Sequence, residues 1–551
     1  MIKFPSSVQP GDRMRAVVCL IGGGPAAISI ALQLLGCGKK VIILAGGKWR
    51  ETLANRELNR GVASPFDSHE PLEENRRRQF GGASAAWGGR CIPMDPIDFK
   101  KRPWVDDSEW PISYEDILPY YEKANALCEA GKFNYKLHFA GAKKEIIAGI
   151  DDDYIDSSHL ERWSPPINFA RHYRQRLQEA GNIQVLLDTH LLRFNCETSA
   201  QQISSVTAVY NNTQFEIVAT QYVLAAGGID NPRLLLASKN KFHPNGIGNQ
   251  HDQVGRYYMA HINGVFAHLA PNDRRSIPFE YEKDKEGVYF RRRWWITEKA
   301  QQEKGLGNLV MFLNDTHDMD GHRDALFSMI YIAKTSLTIL KKKSVGKMIK
   351  SYKELKPEVQ DHLKTAVSEG FSVMPRMMKT MVHRFHKRRL PTILPSVENQ
   401  YLGLYFQSEH LPNYNSTVSL SETEKDALGL PLPIVKVAFC DADYRTILEA
   451  HRMFMQRYRD SQAGGMLYDE SVLMDYIKKR TTKFNSAAHH LGTTRMATSP
   501  DKGVVDGNCK VFGMDNLYVA GSSVFTTGSH VNPTLTLVAL AIRLGDHLCQ
   551  L

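Results

Sequence analysis

Residues 16 to 44 constrain the fold more than any other stretch of this chain. Ala16-Val17-Val18-Cys19-Leu20-Ile21 is a short apolar strand, Gly22-Gly23-Gly24-Pro25-Ala26-Ala27 follows it, Ile28 to Leu35 has a helical pattern, and Lys40 to Leu44 reads as a second strand. A strand, a GxGxxA turn and a helix in that order make a βαβ opening in which small residues let backbone N–H groups approach a pyrophosphate. Gly22, Gly24, Pro25, Ala26 and Ala27 are the predicted contacts. The second strand should end near an acidic residue that holds the adenosine ribose, yet it runs Leu44-Ala45-Gly46-Gly47. Glu51 is the nearest carboxylate, so the ribose contact stays unassigned.

Two later blocks repeat the small-residue theme. Gln79-Phe80-Gly81-Gly82-Ala83-Ser84-Ala85-Ala86-Trp87-Gly88-Gly89-Arg90 is too rich in small residues for a packed element and suits backbone wrapped around a flat ligand, with loop flexibility as the plain alternative. Tyr222 to Gly228 followed by Asn231-Pro232-Arg233-Leu234-Leu235-Leu236 reads as strand, tight turn and helix, which brings Ala226 and Gly227 to a second nucleotide-facing turn.

The candidate chemistry lies near the C-terminus. His489 and His490 precede Gly492-Thr493-Thr494-Arg495-Met496, and Asn532-Pro533-Thr534 opens an apolar run that continues to Leu544. Asn is a favoured helix N-cap and Pro a favoured first helical residue. A run apolar nearly all round predicts a buried helix whose positive end stabilises a developing negative charge inside the protein. A hydride leaves a carbinol carbon easily only if the hydroxyl proton leaves too, and imidazole titrates near neutral pH. The pairing of a base with an amide beside a helix start therefore points to alcohol oxidation.

Composition excludes several classes. The chain has 551 residues and an ordinary globular make-up, enough for two or three structural units. Its eight cysteines are scattered without CxxC or metal-ligand spacing, so reduced thiols, no metal site and a cytoplasmic setting are expected. No apolar leader or membrane-spanning run is present. The formal net charge is +10, and the segment 341–389 carries ten Lys and four Arg against three Glu and one Asp, so the remainder is about neutral. Interleaved apolar residues give that segment an amphipathic helical look. A solvated basic face on an inserted helical pair is the simpler reading; an anionic, lipid-linked or membrane-surface partner, with the protein peripheral at the inner membrane surface, is the other. Nucleic acid has no accompanying motif.

The ordered set GGGPAA, FGGASAAWGGR, VLAAGGIDNPRLLLAS, DQVGRYYMAH, HHLGTTRM and GSHVNPTLTL resembles the glucose-methanol-choline (GMC) oxidoreductases, especially the sugar-oxidising branch that includes pyranose oxidase and bacterial glycoside 3-dehydrogenases. The match covers most of residues 16–261 and 484–551 and is thin between them. The resemblance implies an α/β (α+β, two-domain) fold, with a Rossmann-like FAD-binding domain and a substrate domain on a large, mostly antiparallel sheet. The expected parts are 1–100 and 161–262 for FAD, 101–160 as a lid or connector, 263–483 for substrate with the basic insertion 341–389, and 484–551 returning to the FAD domain. It places the catalytic pair on His489 and Asn532, and further cofactor contacts on Gly81, Gly82, Ser84, Ala85, Trp87, Gly88, Gly521, Ser522, Pro533 and Thr534. His490 is the rival base; as the neighbour of His489 in an extended segment it is expected to point elsewhere. Ala86 stands where some members carry a tethering histidine, so FAD is expected to be non-covalent, and Gly88 is expected near flavin N5, leaving room for a bulky alcohol.

In the middle of the chain, Leu402, Leu404 and Phe406 alternate with Tyr405, Gln407 and Glu409 at strand period, which makes Gln407 and Glu409 candidate sugar contacts, a half-exposed strand being the alternative. The expected reaction is oxidation of a sugar or glycoside hydroxyl to a carbonyl, His489 taking the proton while hydride passes to flavin N5; the electron acceptor is unassigned. A nicotinamide-dependent dehydrogenase and a non-catalytic binding protein of the same fold are the alternatives.

Overall fold

A computed structural model describes residues 1–141, 145–196, 199–315, 401–486 and 488–551, with short helical pieces at 328–329, 332, 363–364 and 367–368. The basic segment 341–389 lies outside the described residues, apart from the last two of those pieces.

The apolar run Val41–Ala45 is buried along its whole length, as a strand covered on both faces must be. It sits in a sheet in which Ile2–Lys3, Ile183–Leu187, Val41–Ala45, Arg13–Ile21 and Thr213–Leu224 run parallel in that spatial order. The far end of Thr213–Leu224 pairs in parallel with Leu517–Val519, and its near end pairs antiparallel with Ser205–Tyr210, which in turn pairs with His190–Asn195. The carboxyl ends at Ile21, Ala45, Leu224 and Val519 consequently open on one edge, where open α/β sheets form their ligand crevices. The helix Pro25–Leu34 begins at that edge and packs along Thr534–Gln550.

Those two helices overturn one expectation. Cys37 and Cys549 form a disulfide with Cα atoms 5.8 Å apart, although 512 positions separate them. The reading of all eight cysteines as reduced thiols is corrected, because spacing in the sequence carries no information about helices packed side by side.

The second large sheet is antiparallel and six-stranded, in the order Gly464–Leu467, His261–Pro271, Leu402–Glu409, Leu309–Asp315, Trp294–Ile296, Ile155–Asp156. The period-two reading holds. Leu402, Leu404 and Phe406 join a core with Ile447, Phe454 and Met455 of the helix Asp441–Asp460. The segment expected as a lid or connector supplies the edge strand Ile155–Asp156 to this sheet. A four-stranded sheet links Arg90–Cys91 through Leu160–Trp163 and Tyr289–Arg292 to Glu282–Lys283, so the end of the glycine-rich loop is held in a sheet of its own.

Between the layers lies a buried acid cluster. Arg102 donates two hydrogen bonds of 2.7 Å to Glu409, and both side chains are wholly buried. Glu409 also accepts from the backbone N–H of Asn308 and Ser529, at 3.0 and 3.3 Å. Ser529 Oγ donates to Asp98, whose carboxyl is pushed up to about 7 by burial and by the neighbouring Asp95 and Glu409. This network fixes the loop that leads to Asn532. Replacing Arg102 by Ala leaves Glu409 as an uncompensated buried charge, and urea unfolding is expected to show a loss of about 3–5 kcal/mol.

Candidate active site

The strand ends enclose a cavity of about 670 Å³, a size typical of small-molecule and cofactor pockets. Gly22, Gly24, Pro25 and Ala26 line it, as do Gly82, Ser84, Trp87, Gly88, Ala226, Gly227, Gly521, Ser522, Pro533 and Thr534; Ala27, Gly81 and Ala85 do not. Gly81 instead donates its N–H to Gly23 O at 2.7 Å, locking the two glycine-rich turns together. Gly22 has φ +130°, and a Cβ there would lie 2.2 Å from Ala225 O, so only glycine allows that crossing. A Cβ on Gly24, Gly88 or Gly227 would meet no atom within 4 Å. At those positions the missing side chain is cavity.

His489 and Asn532 converge in this cavity. Asn532 Nδ2 stands 3.1 Å from His489 Nε2, and His261 Nδ1 stands 2.8 Å from His489 Nδ1. With the amide nitrogen donating to Nε2, the proton of a neutral His489 sits on Nδ1 and is donated to His261. Nε2 is left as the lone pair that faces Asn532. Burial pushes His489 well below the ordinary histidine range, and His261, Arg90 and His490 add to that; burial takes His261 down to about 3. Both rings are therefore neutral at ordinary pH. Asn532 does not cap the following helix as the sequence suggested: Thr534–Gln550 has no side-chain cap, because the amide is turned to His489.

His490 also borders the cavity, but its Nδ1 pairs with Tyr258 Oη at 3.0 Å, and that hydroxyl reaches His69 at 2.9 Å. The neighbouring histidines thus enter different networks. Gln407 and Glu409 do not line the cavity. Gln407 contacts Arg90 at 3.2 Å and donates to His530 O at 2.5 Å, while Glu409 is the buried partner of Arg102. The expectation of direct substrate contacts there is corrected, because a strand face that leaves the core can still be covered by loops.

The place left unassigned for the ribose is filled by other side chains. Glu51 accepts from Arg78 N at 2.7 Å and does not reach the cavity. A Cβ on Gly47 would lie 2.2 Å from Arg78 O, and one on Gly46 would lie 3.3 Å from His190 Nδ1 and 3.6 Å from Arg78 Nη1. Arg78 and His190, both lining the cavity, occupy the room an acidic side chain would need. Sequence reading also missed His261, Arg90 and Arg291. His261 closes the DQVGRYYMAH motif, but its role depends on a strand register that only the fold supplies.

Comparisons with known proteins show what the chain is similar to. Residues 412–541 match the GMC oxidoreductase family. The chain is 22% identical to 2-methyl-1,2-propanediol dehydrogenase of Mycolicibacterium austroafricanum, covering 97% of this chain and 95% of that one. It is 24% identical to the fructose dehydrogenase large subunit of Gluconobacter japonicus, covering 97% and 98%. A C-glycoside 3-oxidase of Microbacterium trichothecenolyticum is 30% identical over 24% of each chain. Among solved structures, pyridoxine 4-oxidase from Mesorbium loti superposes with a TM-score of 0.57 at 15% identity over 97% and 99%, a likeness of fold.

Three of these histidines give a pH signature. His489, His261 and His490 all sit below the ordinary 6.5 because burial disfavours the cation. Unfolded, they take up protons near 6.5 while the folded protein does not, so below that pH the unfolded chain binds more protons and stability falls. Thermal melting followed from about pH 8 to about pH 5 is expected to hold above 6.5 and to drop on the acid side, and His261→Phe is expected to shallow that drop.

Proposed function

Because the chain belongs to the GMC oxidoreductases, flavin-dependent enzymes acting on CH–OH groups, we propose that it oxidises a hydroxyl of a sugar or glycoside to a carbonyl, with His489 as base and Asn532 as the oxygen-binding group. The approach of Asn532 Nδ2 to His489 Nε2 carries this reading. Sugar substrates are supported by relatives named as fructose dehydrogenase, C-glycoside 3-oxidase and paromamine 6'-oxidase.

The cavity fits FAD. The N-terminus of Pro25–Leu34 and the Gly22 to Gly24 turn would hold the pyrophosphate, Arg78 and His190 the adenosine ribose, and Gly88 and Gly227 the space of flat rings. The N-terminus of Thr534–Gln550 supplies positive dipole to a developing negative charge. When bound, FAD supplies the acceptor for the hydride that leaves the carbinol carbon.

The protein groups manage the proton. A substrate hydroxyl entering between His489 and Asn532 gives its proton to Nε2, while Asn532 Nδ2 donates to the substrate oxygen. The imidazolium that forms keeps its Nδ1–H on the neutral His261 Nδ1, which fixes the ring and takes up part of the new charge. His261 is a positioning residue in this scheme. Trp163 and Tyr281, with rings 4.9 Å apart and edge-on, form an aromatic wall suited to a sugar face. Ala86 offers no atom for a covalent link, so FAD is held by contacts alone.

Anaerobic flavin bleaching by an alcohol substrate separates the two histidines. His489→Asn is expected to slow reduction by roughly 100- to 10,000-fold, the usual contribution of a positioned base, and His490→Asn by far less. Normal reduction of the His489 variant would overturn the assignment. Acid precipitation of the holoenzyme is expected to release the yellow colour into the supernatant, and a yellow pellet would contradict non-covalent binding.

A further inference from the structure

The wall of the cavity beside His489 carries more positive charge than the protein neutralises. Arg90 and Arg291 both line it, and the carboxylate they share, Glu161, is fully buried behind them. Arg291 Nη2 donates to Glu161 at 2.9 Å and Arg90 Nη2 pairs with its other oxygen. Their remaining side-chain partners are neutral amides: Asn314 for Arg291 at 3.3 Å and Gln407 for Arg90 at 3.2 Å. The Nε–H groups of both arginines have no partner among the described residues. Arg293, also buried, is favoured as a cation first by Asp95 and then by Glu161, and its guanidinium is hydrogen-bonded to His530. Two guanidinium groups at the cavity surface are thus set against one carboxylate.

Such an excess is costly in a buried wall unless something entering the cavity supplies the missing anion. The arginines are held for that purpose rather than free to turn to solvent. The Arg291 guanidinium carbon lies 3.5 Å from the Phe312 ring centroid, 5.3 Å from that of Trp163 and 5.5 Å from that of Tyr281. Arg90 lies 5.3 Å from the Phe312 ring, so one aromatic ring braces both cations. A planar, pre-organised fork of this kind matches carboxylate or phosphate oxygens. The N-terminus of Thr534–Gln550 would serve the negative edge of a bound flavin, which leaves the Arg90–Arg291 pair for the substrate.

We infer that the substrate is an acidic sugar, carrying a carboxylate or a phosphate that Arg90 and Arg291 bind while a hydroxyl of the same molecule meets His489 and Asn532. The inference rests on the proposed sugar oxidation and specifies its substrate class. It also explains why the aromatic wall of Trp163 and Tyr281 is interleaved with arginine: the rings take the sugar face and the guanidinium groups its charged substituent.

Matched pairs test this in the FAD-loaded enzyme. Methyl glucoside is compared with methyl glucuronide, and glucose with glucose 6-phosphate, by the second-order rate of anaerobic flavin bleaching. At least one acidic member is expected to react tenfold or more faster than its neutral partner, with an advantage that shrinks as salt is added. The carboxylate and phosphate arms distinguish which anion the site takes. Arg291→Gln is expected to lower the acidic-to-neutral ratio at least tenfold, and Arg291→Lys, which keeps charge without the fork, to lower it less. A wild-type enzyme that reduces equally well, or better, with the neutral sugars overturns the inference without any variant needing to fold, as does an acidic preference that survives Arg291→Gln and Arg90→Gln. Bleaching by simple alcohols but by no sugar of either charge would instead overturn the sugar reading beneath it.

Discussion

Asn532 and His489 meet only because two separate returns of the chain end at the same sheet edge. Leu517–Val519 pairs beside Thr213–Leu224 and delivers the loop that leads to Asn532. The backbone bridge between Met259 and Leu491 anchors the other approach, holding the His489 segment against the start of the strand His261–Pro271. That second pairing also brings His261 Nδ1 within 2.8 Å of His489. The geometry of the three polar groups is therefore a property of sheet pairing, and they stay aligned because the strands cannot slip without exposing their apolar faces.

Charge is arranged around that meeting point in two layers. Behind the loop of Ser529 and Asn532 stand Asp95, Asp98 and Glu409, each tied to a cation or a hydrogen-bond donor. Facing the cavity stand Arg90 and Arg291, with Glu161 recessed behind them. Burial, with Arg90 at the wall adding to it, keeps the imidazoles of His489 and His261 neutral, which a base must be before it accepts a proton.

Much of this was readable along the chain. Gly22 to Ala27 announced the turn because its signal is local: an apolar strand, a run of small residues and a helix follow one another without a break. The alternation of Leu402, Leu404 and Phe406 announced a strand because period-two burial needs no knowledge of the partner. The readings that failed each depended on something distant. Asn532 had the local credentials of a cap, but its amide found His489. Glu409 lay on the polar face of its strand, and Arg102 from another part of the chain covered it. Cys37 and Cys549 carry no spacing signal at all.

By itself, then, the order of residues determined the local matters: the βαβ entry, the buried helix after Pro533, the candidate base and amide, and the class of chemistry they serve. Only the tertiary structure decided which ring backs His489, which side chains fill the space beside Gly46 and Gly47, and how many cations line the cavity wall. Turn sterics and burial period act over a few neighbouring residues and so leave a trace in sequence. Hydrogen bonds and charge balance act between side chains that meet in space from segments tens to hundreds of positions apart, and their partners exist only once the sheets have paired.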